Sequence, residues 1–271
     1  MKPNVIFFGN GPLADFTLEV LKPAVNLLFH AKTKEDLATV KQVKAEHPDA
    51  LGILASFGVL IKADVLDLFE PEGILNLHPS LLPKYRGASP IESAILAGDT
   101  DFSISIMKLV KSMDAGPIYH QETLTNLPLD KSEIYRRLAT AGATWLVKNL
   151  PTFQTFHGSA DLSLFPEYHL QNDAEATFTT KLDKSLSFLT PESDSAETTL
   201  RKIVAYQTFP KPKYTFYGQD VIILSAHIEK TTPSAKTISI KCADGEYVII
   251  DTLQPLSRKP MDARSFLNGL R

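Results

Sequence analysis

A single cysteine, Cys242, stands in the 271 residues. That scarcity excludes an intrachain disulfide and any metal site built from clustered thiolates, and a reducing, cytoplasmic setting is the expectation that follows. Long apolar runs are also absent. None approaches the ~20 residues that a membrane-crossing helix needs. The opening run Val5-Ile6-Phe7-Phe8 is cut by Gly9, too soon for the core of a secretion signal, and reads as a first strand. Blocks of like charge are missing, and a net charge of -3 does not mark the whole chain as a nucleic-acid binder. The charge is uneven, however. Residues 178–271 hold 13 Lys and Arg against 10 Asp and Glu, whereas residues 1–177 hold 15 against 21. The C-terminal part is mildly basic, as a domain that touches phosphates is, and chance scatter gives the same figure. Repeats and low-complexity tracts are lacking.

What is present is ordinary for a globular protein: 44% hydrophobic and 22% charged residues, on a chain long enough for one large domain or two of usual size. Residues 4–8 read as a buried strand, 25–29 as a second, 51–55 as a third, with a fourth at Gly73-Ile74-Leu75. Helical patterns lie between them: one through Leu18 and Leu21, one over 33–47 ended by Pro48, and one over 63–69. This alternation predicts an α/β fold with a doubly wound, mostly parallel sheet. Gly9-Asn10-Gly11-Pro12-Leu13-Ala14 matches a loose dinucleotide pattern, but no acid ends the second strand, so the glycines read as a tight strand-to-helix turn. A helix is predicted over 130–149, capped by Asp130 with Glu133 and carrying Trp145 into the core. Residues 151–177 lose periodicity, and a linker is read over 156–177 between a domain of residues 1–155 and one of residues 178–271. In the latter a helix is expected over 195–206, with short strands over 213–217, 221–228, 238–242 and 247–253, hence a small antiparallel barrel.

The chemistry concentrates in Asn76-Leu77-His78-Pro79-Ser80-Leu81-Leu82-Pro83-Lys84-Tyr85-Arg86-Gly87. It follows the fourth strand and precedes a helix marked by Ser89, Pro90, Glu92 and the stop Gly98. Open α/β sheets place their sites at the carboxyl ends of strands. Beyond the alternating Ile104-Ser105-Ile106-Met107, the turn Ser112-Met113-Asp114-Ala115-Gly116-Pro117 adds a carboxylate. An amide can hold an oxyanion, an imidazole can move a proton, and a carboxylate can orient it, which together suit acyl transfer. Ser80 lacks the Gly-x-Ser-x-Gly surroundings of a nucleophile. His30, His120 and His227 have no such neighbours and read as structural. Lys84 and Arg86 read equally as solvated loop charges and as contacts to a substrate phosphate.

These residues carry a resemblance. The stretch Asn76–Gly87 with Asp114-Ala115-Gly116-Pro117 is similar to the 10-formyltetrahydrofolate-dependent formyltransferases, and within them to the methionyl-tRNA formyltransferases. The likeness extends over nearly the whole chain, through Phe8–Pro12, Ser56-Phe57-Gly58, Leu200–Ile203 with Phe209-Pro210, and Leu253-Gln254-Pro255 with Lys259-Pro260-Met261. It implies a C-terminal OB-like barrel that helps bind initiator methionyl-tRNA, and 10-formyltetrahydrofolate as co-substrate without a metal. By position it implies Asn76, His78 and Asp114 as the catalytic triad. It implies Ser80, Leu81, Leu82 and Pro83, with Ser56, Phe57, Gly58, Ile61 and Gly116, as the folate site. A monomer away from membranes is expected. The family's long basic, Gly-rich loop after the second strand is missing here, where Phe29–Lys34 runs directly into a helix. Pro79 and Ala115 are variants of the family pattern. Two other readings compete: a folate-dependent N-formyltransferase acting on a nucleotide-linked sugar amine, and a noncatalytic tRNA- or nucleotide-binding protein.

Overall fold

A computed structural model describes residues 2–155, 165, 167–234, 237–256 and 258–270. The chain forms two compact units, Met1–Ile91 with Thr100–Thr179, and Glu92–Asp99 with Thr180–Arg271. The first begins β1 (Asn4–Phe8), α1 (Pro12–Leu21), β2 (Asn26–Ala31), α2 (Leu37–Glu46), β3 (Leu51–Leu54), α3 (Ala63–Leu66) and β4 (Ile74–His78). These four strands are parallel in the order β2-β1-β3-β4. After α4 (Pro90–Ala97), most of which belongs to the second unit, the strands β5 (Phe102–Lys108) and β6 (Ile118–Leu124) extend the sheet antiparallel, and α5 (Lys131–Thr155) follows. Side chains alternate along a strand. Ile6 and Phe8 therefore pack with Val40 of α2, Val65 of α3 and Phe69. Elsewhere α1 packs on α5, and α5 on β5. Gly142 permits the second contact, because a Cβ there would stand 3.0 Å from Ile104 and 3.1 Å from Leu77.

Three features depart from the expectations. α2 starts at Leu37, not at residue 33, because the Asp36 carboxylate accepts the backbone N–H groups of Lys32 (2.8 Å) and Thr33 (2.9 Å) and ties off a turn there. α5 runs through Pro151 to Thr155. Its last turn is held by Phe153, fully buried against the rings of Phe165 (4.5 Å) and Tyr119 (5.1 Å), so packing overrides the helix-breaking residue. Trp145 is half-buried instead of core, stacked on the His120 ring at 5.1 Å. The Asp130 cap formed as read, accepting the Glu133 N–H at 3.0 Å.

The second unit holds α6 (Ala196–Ala205), β7 (Lys213–Phe216), β8 (Gln219–Glu229), β9 (Ser239–Lys241), β10 (Tyr247–Pro255), β11 (Met261–Asp262) and α7 (Ala263–Asn268). Ser195 caps α6 by accepting the Thr198 N–H at 3.1 Å. The antiparallel sheet runs β11-β10-β8-β7, with β9 beside β10. β9 and β11 pair with successive parts of β10, and register shifts between Ile250 and Leu253 let the long β8–β10 pair curl. The curl encloses a core that includes Ile203, Val221, Ile223, Ile240, Val248 and Leu253. Among the described residues no helix is long and apolar enough to cross a membrane, and no group of three His, Cys, Asp or Glu is placed to hold a metal ion.

Candidate functional site

Asn76 and His78 sit two residues apart on β4, so both side chains leave the same face of the sheet. Both are buried, at 4% and 5% exposure, inside a strand whose other residues are Ile74, Leu75 and Leu77. Asp114 reaches them from the β5–β6 connection. Because β5 is antiparallel to β4, Lys108 lies opposite Leu75, and the segment after it folds back toward the carboxyl end of β4. Gly116 makes this return possible, since a Cβ there would stand 1.8 Å from the Lys108 carbonyl oxygen. Asp114 itself adopts φ 47°, a left-handed conformation that Asp tolerates better than most residues.

The three side chains meet around the Asp114 carboxylate. Oδ2 accepts the Gly87 N–H at 2.8 Å and stands 3.6 Å from His78 Nδ1, while Oδ1 is 3.5 Å from Asn76 Nδ2. His78 Nε2 lies 3.0 Å from the Tyr85 carbonyl oxygen. A carbonyl can only accept, so Nε2 carries a proton, and Nδ1 is the nitrogen left to exchange one with Asp114. The Asn76 amide holds Asp114 only at the long distance of 3.5 Å, and its donor can turn toward an incoming oxygen.

Asn76 and Asp114 form one wall of a cavity of about 440 Å³. Its remaining lining is mostly apolar: Leu54, Phe57, Val59, Ile61, Leu109 and Val110, with the exposed Leu60 and Met113 at 75% and 64%. Such a volume, apolar with a few converging polar groups, is typical of small-ligand sites. The expected folate residues divide. Phe57, Gly58 and Ile61 line this cavity; Ser56 and Gly116 do not. Leu81, Leu82 and Pro83 line a second cavity of about 350 Å³, with Lys84, Gln121 and His169–Asn172. Ser80 lines neither. Its hydroxyl donates to the Lys84 carbonyl at 2.7 Å, and its own carbonyl accepts from Ser105 at 2.6 Å, which pins the loop after His78.

Arg86 is neither a solvated charge nor free for a phosphate. It is buried at 3% exposure and donates to Gln171 Oε1 (3.0 and 2.8 Å) and Asp173 Oδ1 (2.8 Å). His30 is spoken for by the Gly9 carbonyl at 2.8 Å, and His120 by Glu167 at 2.6 Å. The Gly9 turn is a close crossing, where a Cβ would stand 2.1 Å from the Ala55 carbonyl oxygen. In the sequence Gln171 shows only its place in an aperiodic stretch beyond the sheet.

The family model described as Formyl transferase matches residues 12–150, and the one described as Formyl transferase, C-terminal domain, matches residues 181–271. A methionyl-tRNA formyltransferase from Chloroflexus aggregans is 34% identical over 262 residues, covering 90% of this chain and 79% of its own. The solved structure of HypX from Aquifex aeolicus in complex with tetrahydrofolic acid matches with a TM-score of 0.76 at 19% identity. That match covers 98% of this chain and 47% of HypX, so this chain spans about half of that protein. The methionyl-tRNA formyltransferase structure from Clostridium thermocellum matches with a TM-score of 0.65 at 16% identity, covering 97% of this chain and 100% of that one. The two structural likenesses speak to the fold.

Proposed function

The chain belongs to the formyl transferase family, and from that membership we propose that it moves the formyl group of 10-formyltetrahydrofolate onto the free α-amino group of initiator methionyl-tRNA. The observation that carries this reading is the placement of Asn76 and Asp114 on the wall of an apolar cavity, with His78 directly behind Asp114. The flat pterin fits an apolar slot lined by Phe57, Ile61, Leu54 and Val110, and the adjoining loop backbones supply donors and acceptors for its polar edge. In this reading Leu81, Leu82 and Pro83, which line the second cavity, do not touch the pterin.

The reaction is addition followed by elimination. The amine nitrogen adds to the formyl carbon, and negative charge gathers on the formyl oxygen, where Asn76 Nδ2 donates. One such donor is typically worth ~100- to 1000-fold in rate. The amine proton passes to the Asp114–His78 pair, which returns a proton to N10 as the C–N10 bond breaks. Water exclusion by Phe57, Leu60 and Met113 strengthens each of these polar contacts. The expected C-terminal domain, residues 178–271, serves to bind the tRNA, in keeping with its excess of basic residues.

The test is transfer from labelled 10-formyltetrahydrofolate to charged initiator tRNA, charged elongator tRNA and a panel of nucleotide-linked sugar amines. The initiator should be formylated with the highest kcat/KM. Preference for a sugar amine overturns the acceptor, and absence of any folate-dependent transfer overturns the enzyme reading.

A further inference from the structure

Asp114 is held from two sides by one connected set of contacts, and its centre is Gln171. The Gln171 amide uses all of its hydrogen-bonding capacity. Nε2 donates to the carbonyl oxygens of Asp114 (2.8 Å) and Gly116 (2.7 Å), while Oε1 accepts from Nε (3.0 Å) and Nη2 (2.8 Å) of Arg86. The reverse orientation of the amide is excluded, because it would set an NH2 group against a guanidinium. Arg86 is covalently joined to Gly87, whose N–H grips the Asp114 carboxylate at 2.8 Å. The contacts therefore close into a ring: Asp114 main chain, Gln171, Arg86, Gly87, Asp114 side chain. The strand-like exchange of Arg86 N–H with the Thr177 carbonyl (2.8 Å) and of Thr179 N–H with the Arg86 carbonyl (2.7 Å) fixes the far side of this ring.

We propose that Gln171, working through Arg86, is a positioning residue for formyl transfer that fixes the left-handed Asp114 turn so that its carboxylate bridges His78 and the Gly87 N–H. This rests on the functional reading above. Two observations say that the clasp is needed. Asp114 sits at φ 47°, which costs a non-glycine residue conformational energy, and its turn is bounded by the crowded Gly116. Without the Gln171 donors, both carbonyls lose their partners and the turn can relax to ordinary φ values. The carboxylate then swings away from His78 Nδ1, which it faces at 3.6 Å. Misplacing a reacting group by about 1 Å costs on the order of 100-fold in rate.

The experiment uses the full chain with Gln171→Met, Gln171→Glu, Asp114→Asn and the two doubles. Gln171→Met keeps the side-chain length and removes both donors. Gln171→Glu keeps an acceptor for Arg86 and removes the donors to the Asp114 turn. Both should lower kcat on the order of 10- to 100-fold, with the KM for the folate changed less than about threefold. In the Asp114→Asn background either change should cost less than about threefold more, because it acts through a group already lost. A readout independent of transfer accompanies this: the imidazole nitrogen resonances of His78. Asp114→Asn should shift them, and each Gln171 variant should shift them in the same way. Restoration of wild-type kcat and resonances by Gln171→Glu overturns the proposal, since Arg86 alone would then be what Gln171 serves. Equal losses in both backgrounds also overturn it. If wild-type protein transfers no formyl group, the functional reading fails by itself, and the His78 resonances still decide whether Gln171 positions Asp114.

Discussion

Asn76, His78 and Asp114 stand differently to the cavity, and substitution should separate them. Asn76 and Asp114 face it, whereas His78 is buried behind with Nε2 committed to Tyr85. Asn76→Ala should lower turnover by ~100- to 1000-fold, since in the proposed mechanism its donor is used most as charge builds on the formyl oxygen. His78→Ala should lower turnover as well, and in both variants folate affinity, measured by fluorescence titration, should stay within a few-fold of wild type. Near-normal turnover in His78→Ala would remove the proton relay from the mechanism. A second residue-scale prediction concerns Asp36. The N–H groups of Lys32 and then Thr33 hold its carboxyl below the ordinary value of 3.8. Its folded pKa is thus depressed, so its stabilisation is present above the unfolded pKa and disappears as pH falls through the folded one. Asp36→Ala should lower Tm at neutral pH, and its gap to wild type should close as the solution is acidified below pH 3.8. The Asn-x-His pair was legible in the sequence because a period of two puts both groups on one face of one strand. Arg86 was not. An arginine in a loop looks solvated until the Gln171 and Asp173 that bury it, 85 and 87 residues later, are placed beside it.

Elements were readable where local periodicity and capping agreed, and misread where distant packing decided. α1, α6 and the strands β7 to β10 carry their own signals: Pro12 at the helix start, Ser195 as a cap, and alternating aliphatics between turns. β6 gives no such signal. Ile118-Tyr119-His120-Gln121-Glu122-Thr123-Leu124 is largely polar because it ends that sheet beyond β5, with an isolated bridge from Ile118 to His169 on its other side, and its Gln121 is spent on the Leu82 carbonyl and the Ser105 hydroxyl. The end of α5 was equally hidden, since Pro151 argues for a stop and only the buried Phe153 argues against one. Phe153→Ala should therefore destabilise the first unit by ~3–5 kcal/mol, as loss of a fully buried aromatic does. Urea denaturation should show a lower midpoint for this variant. An unchanged midpoint would mean that the last turn of α5 contributes little to the unit's stability. Cys242 offers a matching probe of the second unit. Burial pushes its thiol pKa up, and it donates to Thr199 Oγ1 at 3.5 Å, so native protein should react slowly with thiol reagents and quickly once that unit opens.

At the scale of the molecule, the proposed acceptor sets a requirement that the catalytic unit does not meet by itself. The connection from β2 to α2 is short, tied off by Asp36, and offers Lys32 and Lys34 where the resemblance implies a long basic loop. In the proposed function, recognition of tRNA then rests more heavily on the second unit. There Lys181, Lys184, Lys230, Lys241, Arg258, Lys259 and Arg264 are exposed. Each phosphate that such a residue neutralises on a duplex stem releases condensed counterions, and the log–log salt slope of binding steepens by about 0.9. Neutralising Lys184, Lys241 and Arg258 together to Gln should therefore weaken tRNA binding and flatten that slope, while folate affinity, which involves none of them, stays as in wild type. A slope that does not change with these charges would leave the second unit without a role in tRNA binding. The missing loop makes a further demand on the same measurements. With fewer contacts near the acceptor end, the ratio of kcat/KM for initiator over elongator tRNA should be smaller than in a relative that carries the long loop. Lys32→Gln with Lys34→Gln should reduce the ratio again if these two lysines stand in for it. A ratio equal to that of the long-loop relative, and unmoved by the lysine changes, would place discrimination entirely in the second unit.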